Sequence, residues 1–343
     1  MRRFGVGLYT GQRAAGANYR DAVPLAVAAE EAGFDSFWVT EHHGLPDGYL
    51  PSPLTLLAAL ATTTSRIELG TGVLLAPLHH PLRIAEDAAV VDQLSGGRLI
   101  LGLGIGYAAD EYRAFGVDPA TRGARLEALV AMLRIAWTGE RFSSSELGLD
   151  DVRVTPTPHR PIPIWLGGYA GHAVRRAGLV ADGHLVGKGE QHIVRIASDQ
   201  LAEVRDAGDP SFVRAVNVTC VLDGPGGGGA SARRAFATQQ RVYESIQAGR
   251  TVYAGLVADP VGAGDGLAGG DIDAYIQAGG DVEQVVTALS GVLDALAGWA
   301  NVHLVLRLLF PEPDLDTQLC RLATFGEHVL PRLRAHTTQE LIP

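Results

Sequence analysis

The sequence predicts a single parallel (β/α)8 barrel, and two observations carry that prediction. Eight short apolar runs, several rich in β-branched residues and most bounded by Gly or Pro, alternate with amphipathic helical patterns. The length, 343 residues, is long for an ordinary domain but suits one barrel with insertions. A doubly wound open sheet is the main rival, and the alternation alone does not choose between them.

The expected strands are Phe4 to Tyr9, Ser36 to Thr40, Ile67 to Gly72, Leu99 to Leu103, Ile162 to Leu166, Gly183 to Val186, Phe212 to Leu222 and Val302 to Arg307. The helical patterns between them run Tyr19 to Ala32, Leu54 to Thr63, Leu82 to Leu94, Arg122 to Trp137, Gly171 to Gly178, Gln191 to Ala207, Ala230 to Ala248 and Val282 to Leu296. A last helix, Leu315 to Leu333, closes the chain. Three segments break the rhythm. Thr138 to Pro163 carries four prolines and no helix signal, so it reads as an insertion with short extended pieces. Asp223 to Gly229 reads as a flexible turn, and the Gly- and Asp-rich stretch Gly249 to Gly280 as a long excursion near the active face. The expected organisation is one domain over 1–343, with insertions at about 138–163 and 249–280.

Composition narrows the function. The net charge is -10 and Lys plus Arg form no large cluster, which argues against nucleic acid or an anionic membrane surface as partner. Cys220 and Cys320 lie far apart, with neither metal-ligand spacing nor a disulfide framework, as fits a reducing cytoplasm. No long apolar core follows Arg2-Arg3, so no signal peptide is expected, and no stretch is long and apolar enough to span a bilayer.

Glu41-His42-His43 directly follows the buried-strand run Phe34 to Thr40. Titratable residues at a strand's carboxyl end sit where α/β folds place their chemistry. Strand neighbours point to opposite sides, so one histidine should enter the site and the other face the barrel wall or solvent. The plainer alternative is a pair of loop histidines without a role. Gly102-Leu103-Gly104-Ile105-Gly106 follows a strand, but position 107 is Tyr, so the G-x-G-x-x-G dinucleotide fingerprint fails. These glycines either make room for a flat ligand or form a structural turn. Gly167-Gly168-Tyr169-Ala170 opens a helix late in the barrel, where free amides form a phosphate cradle; a plain βα turn is the alternative. Arg122 and Arg125 share a helical face and would meet either phosphate or nearby acids. A zinc reading would join His79-His80 to Glu41 and His42, but there is no H-E-x-x-H and no Cys ligand set, so no metal is expected. G-x-S-x-G and the P-loop signature are absent as well.

Taken together, several dispersed segments resemble the bacterial luciferase-like flavin monooxygenase family. They are Ala32 to His43, Ile67 to Leu75 with His80-Pro81, Ile84 to Asp87, Asp92 to Arg98, Phe115 to Asp118, His303 to Arg307 and Val329 to Leu333. The resemblance implies a barrel with insertions, a flavin or deazaflavin on its carboxyl face, and two-electron redox chemistry. His42 matches the family's active-site histidine beside the isoalloxazine. Glu41 stands where the luciferase branch has Glu and the F420 branch usually has Asp; both are expected to be catalytic. Gly72-Val73 matches a non-prolyl cis peptide that supports the ring. Gly104 stands where luciferase has a reactive Cys, which speaks against light emission. Ile105 replaces an Arg that meets the phosphate, which leaves that task to Arg122 or Arg125. Tyr107 replaces an acid of the sugar-phosphate dehydrogenases, whereas Lys188 looks like the F420 branch.

The resulting expectation is a cytoplasmic, homo-oligomeric FMN-dependent monooxygenase, most simply a homodimer. Reduced FMN would come from a separate flavin reductase, because the chain shows no second nucleotide fold, and a small organic molecule would be oxygenated. F420-dependent hydride transfer and a non-catalytic flavin-binding barrel are the two alternatives.

Overall fold

The computed structural model describes residues 2–8, 19–45, 48–248, 272–310 and 314–339. Eight parallel strands pair edge to edge until the last meets the first: β1 (Arg2–Leu8), β2 (Ser36–Val39), β3 (Glu68–Thr71), β5 (Leu99–Gly104), β8 (Ile164–Gly167), β9 (Gly183–Val186), β10 (Val213–Leu222) and β12 (Val302–Leu309). The closing pair sets Gly5 opposite Val305, while on its other side Gly5 faces Ser36. Closure decides between the two fold classes: this is a (β/α)8 barrel. The remaining strands lie off that ring. β4 (Leu74–Leu75) pairs with the end of β5, β11 (Ala278–Gly280) adds to β10, and β6 (Phe142–Ser144) with β7 (Leu149–Val152) forms an antiparallel hairpin inside the expected 138–163 insertion. Most of the expected 249–280 excursion, residues 249–271, lies outside the described residues, as does Tyr9.

The helices that pack around the ring are α1 (Ala22–Glu31), α2 (Pro53–Ala61), α3 (Pro81–Ser95), α5 (Arg122–Ala136), α6 (Gly171–Val180), α7 (Gln191–Ala202), α8 (Gly229–Ala248), α9 (Val282–Asp294), α10 (Leu315–Thr324) and α11 (Leu330–Gln339), with the short α4 (Ala109–Ala114) at the mouth. Their ends follow local chemistry. Pro81 opens α3, where its missing N–H costs nothing, and Gly96 closes it at φ 69°. Asp281 and Gln284 cap α9 reciprocally. The single last helix expected from the sequence is instead two, joined by a π turn at Phe325–Val329. Pro331 lacks an N–H, and its ring crowds the carbonyl one turn back, so the regular ladder is interrupted there. Among the described residues no helix is long and apolar enough to cross a membrane.

Two tryptophans fill the barrel interior. Trp38 from β2 and Trp165 from β8 meet at 5.1 Å between ring centres, with Ile100, Leu185, Ala215 and Val305 around them. The neighbouring strands yield space: a methyl on Gly70 would overlap the Trp38 ring, and one on Gly183 would lie 2.7 Å from Trp165 Cδ1. Trp38 Nε1 donates to Ser36 Oγ at 2.6 Å, which in turn meets His303 Nε2 at 2.8 Å, so the polar edge of the plug is satisfied internally.

Outside the ring, Glu30 at the end of α1 accepts from the amides of Ser65, Arg66 and Ile67 at 3.0, 2.6 and 2.8 Å, tying the helix to the approach of β3. Burial by itself would raise this carboxyl, but the three amides and the Ser65 hydroxyl outweigh it and hold its pKa at about 2. A carboxyl depressed on folding contributes stability that is complete above its unfolded value, about 4.3, and is lost as pH falls through the folded one. Glu30→Gln should therefore be less stable than wild type at pH 7, and the two should converge as pH approaches 2. Urea midpoints across pH 2 to 7 check this, and a gap that persists undiminished at the acid end would contradict it.

Candidate active site at the barrel mouth

At the carboxyl ends of the strands a small cleft opens, lined by Gly7, Trp38, Thr40, Gly72, Asn217 and Arg307 among others. Its floor is the Trp38 ring and its walls are the ends of β1, β2, β10 and β12. This is the face on which barrel enzymes carry their sites.

Gly72-Val73, between β3 and β4, is a cis peptide, as the resemblance implied. Val73 explains two of the glycines. A methyl on Gly104 would overlap its Cγ2, and one on Gly167 would lie 2.7 Å from its Cγ1. A methyl on Gly102 would overlap the carbonyl oxygen of Thr71. The glycines at 102 and 104 thus clear space for neighbouring protein atoms.

Beyond Val39 the chain leaves the sheet, and the simple in-and-out alternation ends with it. Both histidines are drawn toward carboxylates. His42, 7 % exposed, places Nδ1 2.9 Å from Glu111 Oε1 and Nε2 3.4 Å from the Tyr107 hydroxyl. The rings of Tyr49 and Tyr107 stand edge-on to it at 5.0 and 5.5 Å. His43 is not released to solvent: its Nε2 lies 2.7 Å from Glu41 Oε1, and its ring packs edge-on to Phe115 at 4.6 Å. Neither histidine is among the residues that line the cleft. Glu111, on α4, was not foreseen. It is 4 % exposed, its Oε1 also accepts from the His43 backbone N–H at 2.8 Å, and its Oε2 is buried with no hydrogen-bond partner. A six-residue helix among glycines offers no periodicity from which a sequence reading would find it.

Glu41 faces away from that group. Its Oε1 meets His43 and also His79 Nε2 at 2.6 Å, and Oε2 accepts from the Leu75 N–H at 2.7 Å. Burial favours the neutral acid, but the two imidazoles and the Leu75 amide prevail and hold the carboxyl below its ordinary range. The structure therefore groups Glu41 with His43 and His79, and His42 stays with Glu111.

The second loop, Gly167 to Ala170, runs into α6. Its Gly168 amide donates to Leu185 O at 3.2 Å, which leaves the Tyr169 and Ala170 amides for an anion, together with the first turn of α6. The Gly168 carbonyl is held by His184, whose Nε2 lies 2.6 Å away and whose Nδ1 meets Arg214 Nη1 at 3.1 Å. Burial first, and the Arg214 charge second, push the His184 pKa down to about 3. α5 lies beside α6: Arg176 pairs with Glu127 at 2.6 Å, and Arg134 reaches Asp182 at 3.0 Å. Arg122 and Arg125 open α5 on this side, and Arg125 Nε is buried without a hydrogen-bond partner.

A family model described as luciferase-like monooxygenase matches residues 2–253. The chain belongs to the luciferase-like monooxygenase family. Among curated members, an F420-dependent glucose-6-phosphate dehydrogenase of Kineococcus radiotolerans is 36% identical over 174 residues, 48% of this chain and 52% of the relative. The oxygenase component of a flavin-dependent trigonelline monooxygenase of Acinetobacter baylyi is 33% identical over 130 residues, 37% of this chain and 36% of the relative. The chain thus matches about half the length, or less, of these luciferase-like relatives. A solved F420-dependent secondary alcohol dehydrogenase, in complex with an F420-acetone adduct, superposes with a TM-score of 0.75 at 20% identity, covering 97% of this chain and 100% of the other. That likeness concerns the barrel alone.

The Val73 nest in this luciferase-like barrel is testable by itself. Gly104→Ala should destabilise the fold by ~1–3 kcal/mol, the usual cost of overpacking. Val73→Ala should recover most of that loss in the double variant, since neighbours that share one space are non-additive. Urea unfolding of the four-member cycle reads the coupling, and additive losses would show that Gly104 is not there for Val73.

Proposed function

We propose that this protein is an FMN-dependent monooxygenase whose proton handling rests on His42, Glu111 and Tyr107. The observation that carries the reading is the placement of the His42 imidazole, buried between a carboxylate and a phenol just past the end of β2. Features that suit a phosphate-bearing cofactor are the buried Arg125 Nε without a partner and the amides at the start of α6. Tyr169, Ala170, Arg125 and Arg122 would hold its phosphate, and Gly72-Val73 would support its ring. Reduced FMN, delivered by a separate reductase, supplies two electrons and activates dioxygen when bound.

The protein's own part is proton placement. A carboxylate only accepts hydrogen bonds, so Glu111 fixes the His42 proton on Nδ1 and leaves the Nε2 lone pair beside the Tyr107 hydroxyl. His42 then takes or returns a proton at Nε2. Trp38 closes the floor of the cleft against water from the barrel interior.

A second reading, F420-dependent hydride transfer, is favoured by the dehydrogenase relative and by Lys188, whose ammonium stands 5.2 Å from the Tyr169 ring centre beside the loop that would hold the phosphate. Loading the protein with reduced FMN or reduced F420, each under air and under argon, separates the two. Oxygen-dependent product with FMN supports the first, and substrate turnover with F420 under argon the second.

With FMN loaded, His42→Ala should lower single-turnover product yield by ~10²-fold or more, as loss of a positioned acid–base group does, while flavin binding persists. Glu111→Gln should lower it less and shift the pH profile, and His43→Ala should do least. Normal yield from His42→Ala would remove that residue from the chemistry.

A further inference from the structure

We propose that Glu41, His43 and His79 form a binding site for a divalent first-row transition metal, separate from the His42 group. The proposal does not rest on the flavin reading. One carboxylate oxygen and two imidazole nitrogens converge: His43 Nε2 lies 2.7 Å and His79 Nε2 2.6 Å from Glu41 Oε1, and the three donor atoms all fall within 4.8 Å of one another. Two imidazoles with one carboxylate suit zinc, iron(II), cobalt(II) or nickel(II), and not calcium or magnesium, which want oxygen. Three protein ligands with a fourth position left to water is a common arrangement for such ions.

The surroundings have the features of a ligand shell. The Glu41 side chain is fully buried, and the Leu75 N–H on its Oε2 aims Oε1 at the histidines. The His43 ring is braced by Phe115. His79 is the outermost ligand, with 26 % of its side chain exposed, which gives an ion a way in. Bonds of ~2.0–2.2 Å to a tetrahedral ion set neighbouring donors ~3.3 Å apart. Glu41 Oε1 must therefore part from both histidine nitrogens by roughly 0.6 Å, a small turn of its carboxylate together with the partly exposed His79 ring. Each neutral imidazole then gives the metal its Nε2 lone pair and carries its proton on Nδ1. Protons compete with the metal for these nitrogens, so affinity falls as pH falls. Such an ion would staple the end of β2 to the segment that runs from β4 into α3.

The test is a titration of chelator-stripped, full-length protein with Zn²⁺ against a chromophoric chelator, repeated with Co²⁺ for its visible absorption bands. One equivalent should bind, with bands of a four-coordinate Co²⁺ site. Affinity should fall ~10–100-fold or more in His79→Ala and in Glu41→Gln, and should be unchanged in His80→Ala, the exposed neighbour. Circular dichroism checks that each variant is folded, and if Glu41→Gln is not, His79→Ala decides. Absence of stoichiometric binding by wild type, or binding by His79→Ala as tight as wild type, overturns the proposal and leaves the triad as a hydrogen-bonded clamp.

Discussion

The tryptophan plug sets the terms for the rest of the molecule. Trp38 and Trp165 occupy the barrel axis, and they fit because the facing strands carry glycine at 70 and 183. A close-packed interior tolerates no half-measures. Bulk contributed by two strands is matched by its absence on their neighbours, so strand register and composition fix each other. The plug also sets the depth of the cleft, because the Trp38 ring is both the core's upper layer and the floor on which any ligand would rest. Core packing and the shape of the cleft therefore share one side chain.

Above the plug, the site is assembled by loops whose order comes from buried carboxylates. Two acids divide the Glu41-His42-His43 tripeptide and its surroundings between them. Glu111 takes His42 and the His43 amide; Glu41 takes His43, His79 and the Leu75 amide. Each acid bridges segments far apart in sequence, from the end of β2 to α4 in one case and to the start of β4 in the other. Adjacent residues thus belong to different networks, and the peptide bond between His42 and His43 is where the two meet. A backbone turn that no longer obeys strand alternation is what permits it.

The barrel was readable because its period was regular. Runs such as Leu99 to Gly104 are buried on every side, and buried parallel strands write themselves as apolar stretches. The last helix shows the limit, since amphipathicity continues through Pro331 whereas the hydrogen-bond ladder does not. The site was legible at its anchor, the tripeptide after β2, and opaque where it depends on contacts across the barrel. Glu111 lies on six residues with no repeating pattern. At Gly102 and Gly104 the sequence shows only that a side chain is missing, and never what fills the gap; the Thr71 carbonyl and Val73 fill it. Likewise the Gly168 amide, nominally available, is spent on Leu185.

One buried group has a bearing on how acidity would act on this protein. His184 holds the Gly168 carbonyl through Nε2 and accepts from Arg214 at Nδ1, and its pKa sits at about 3. An imidazole so placed is a fixed dipole across the whole range in which enzymes work. The loop ahead of α6 therefore keeps one geometry while the medium goes from mildly acid to mildly alkaline. The imidazole beneath the loop has been taken out of proton exchange.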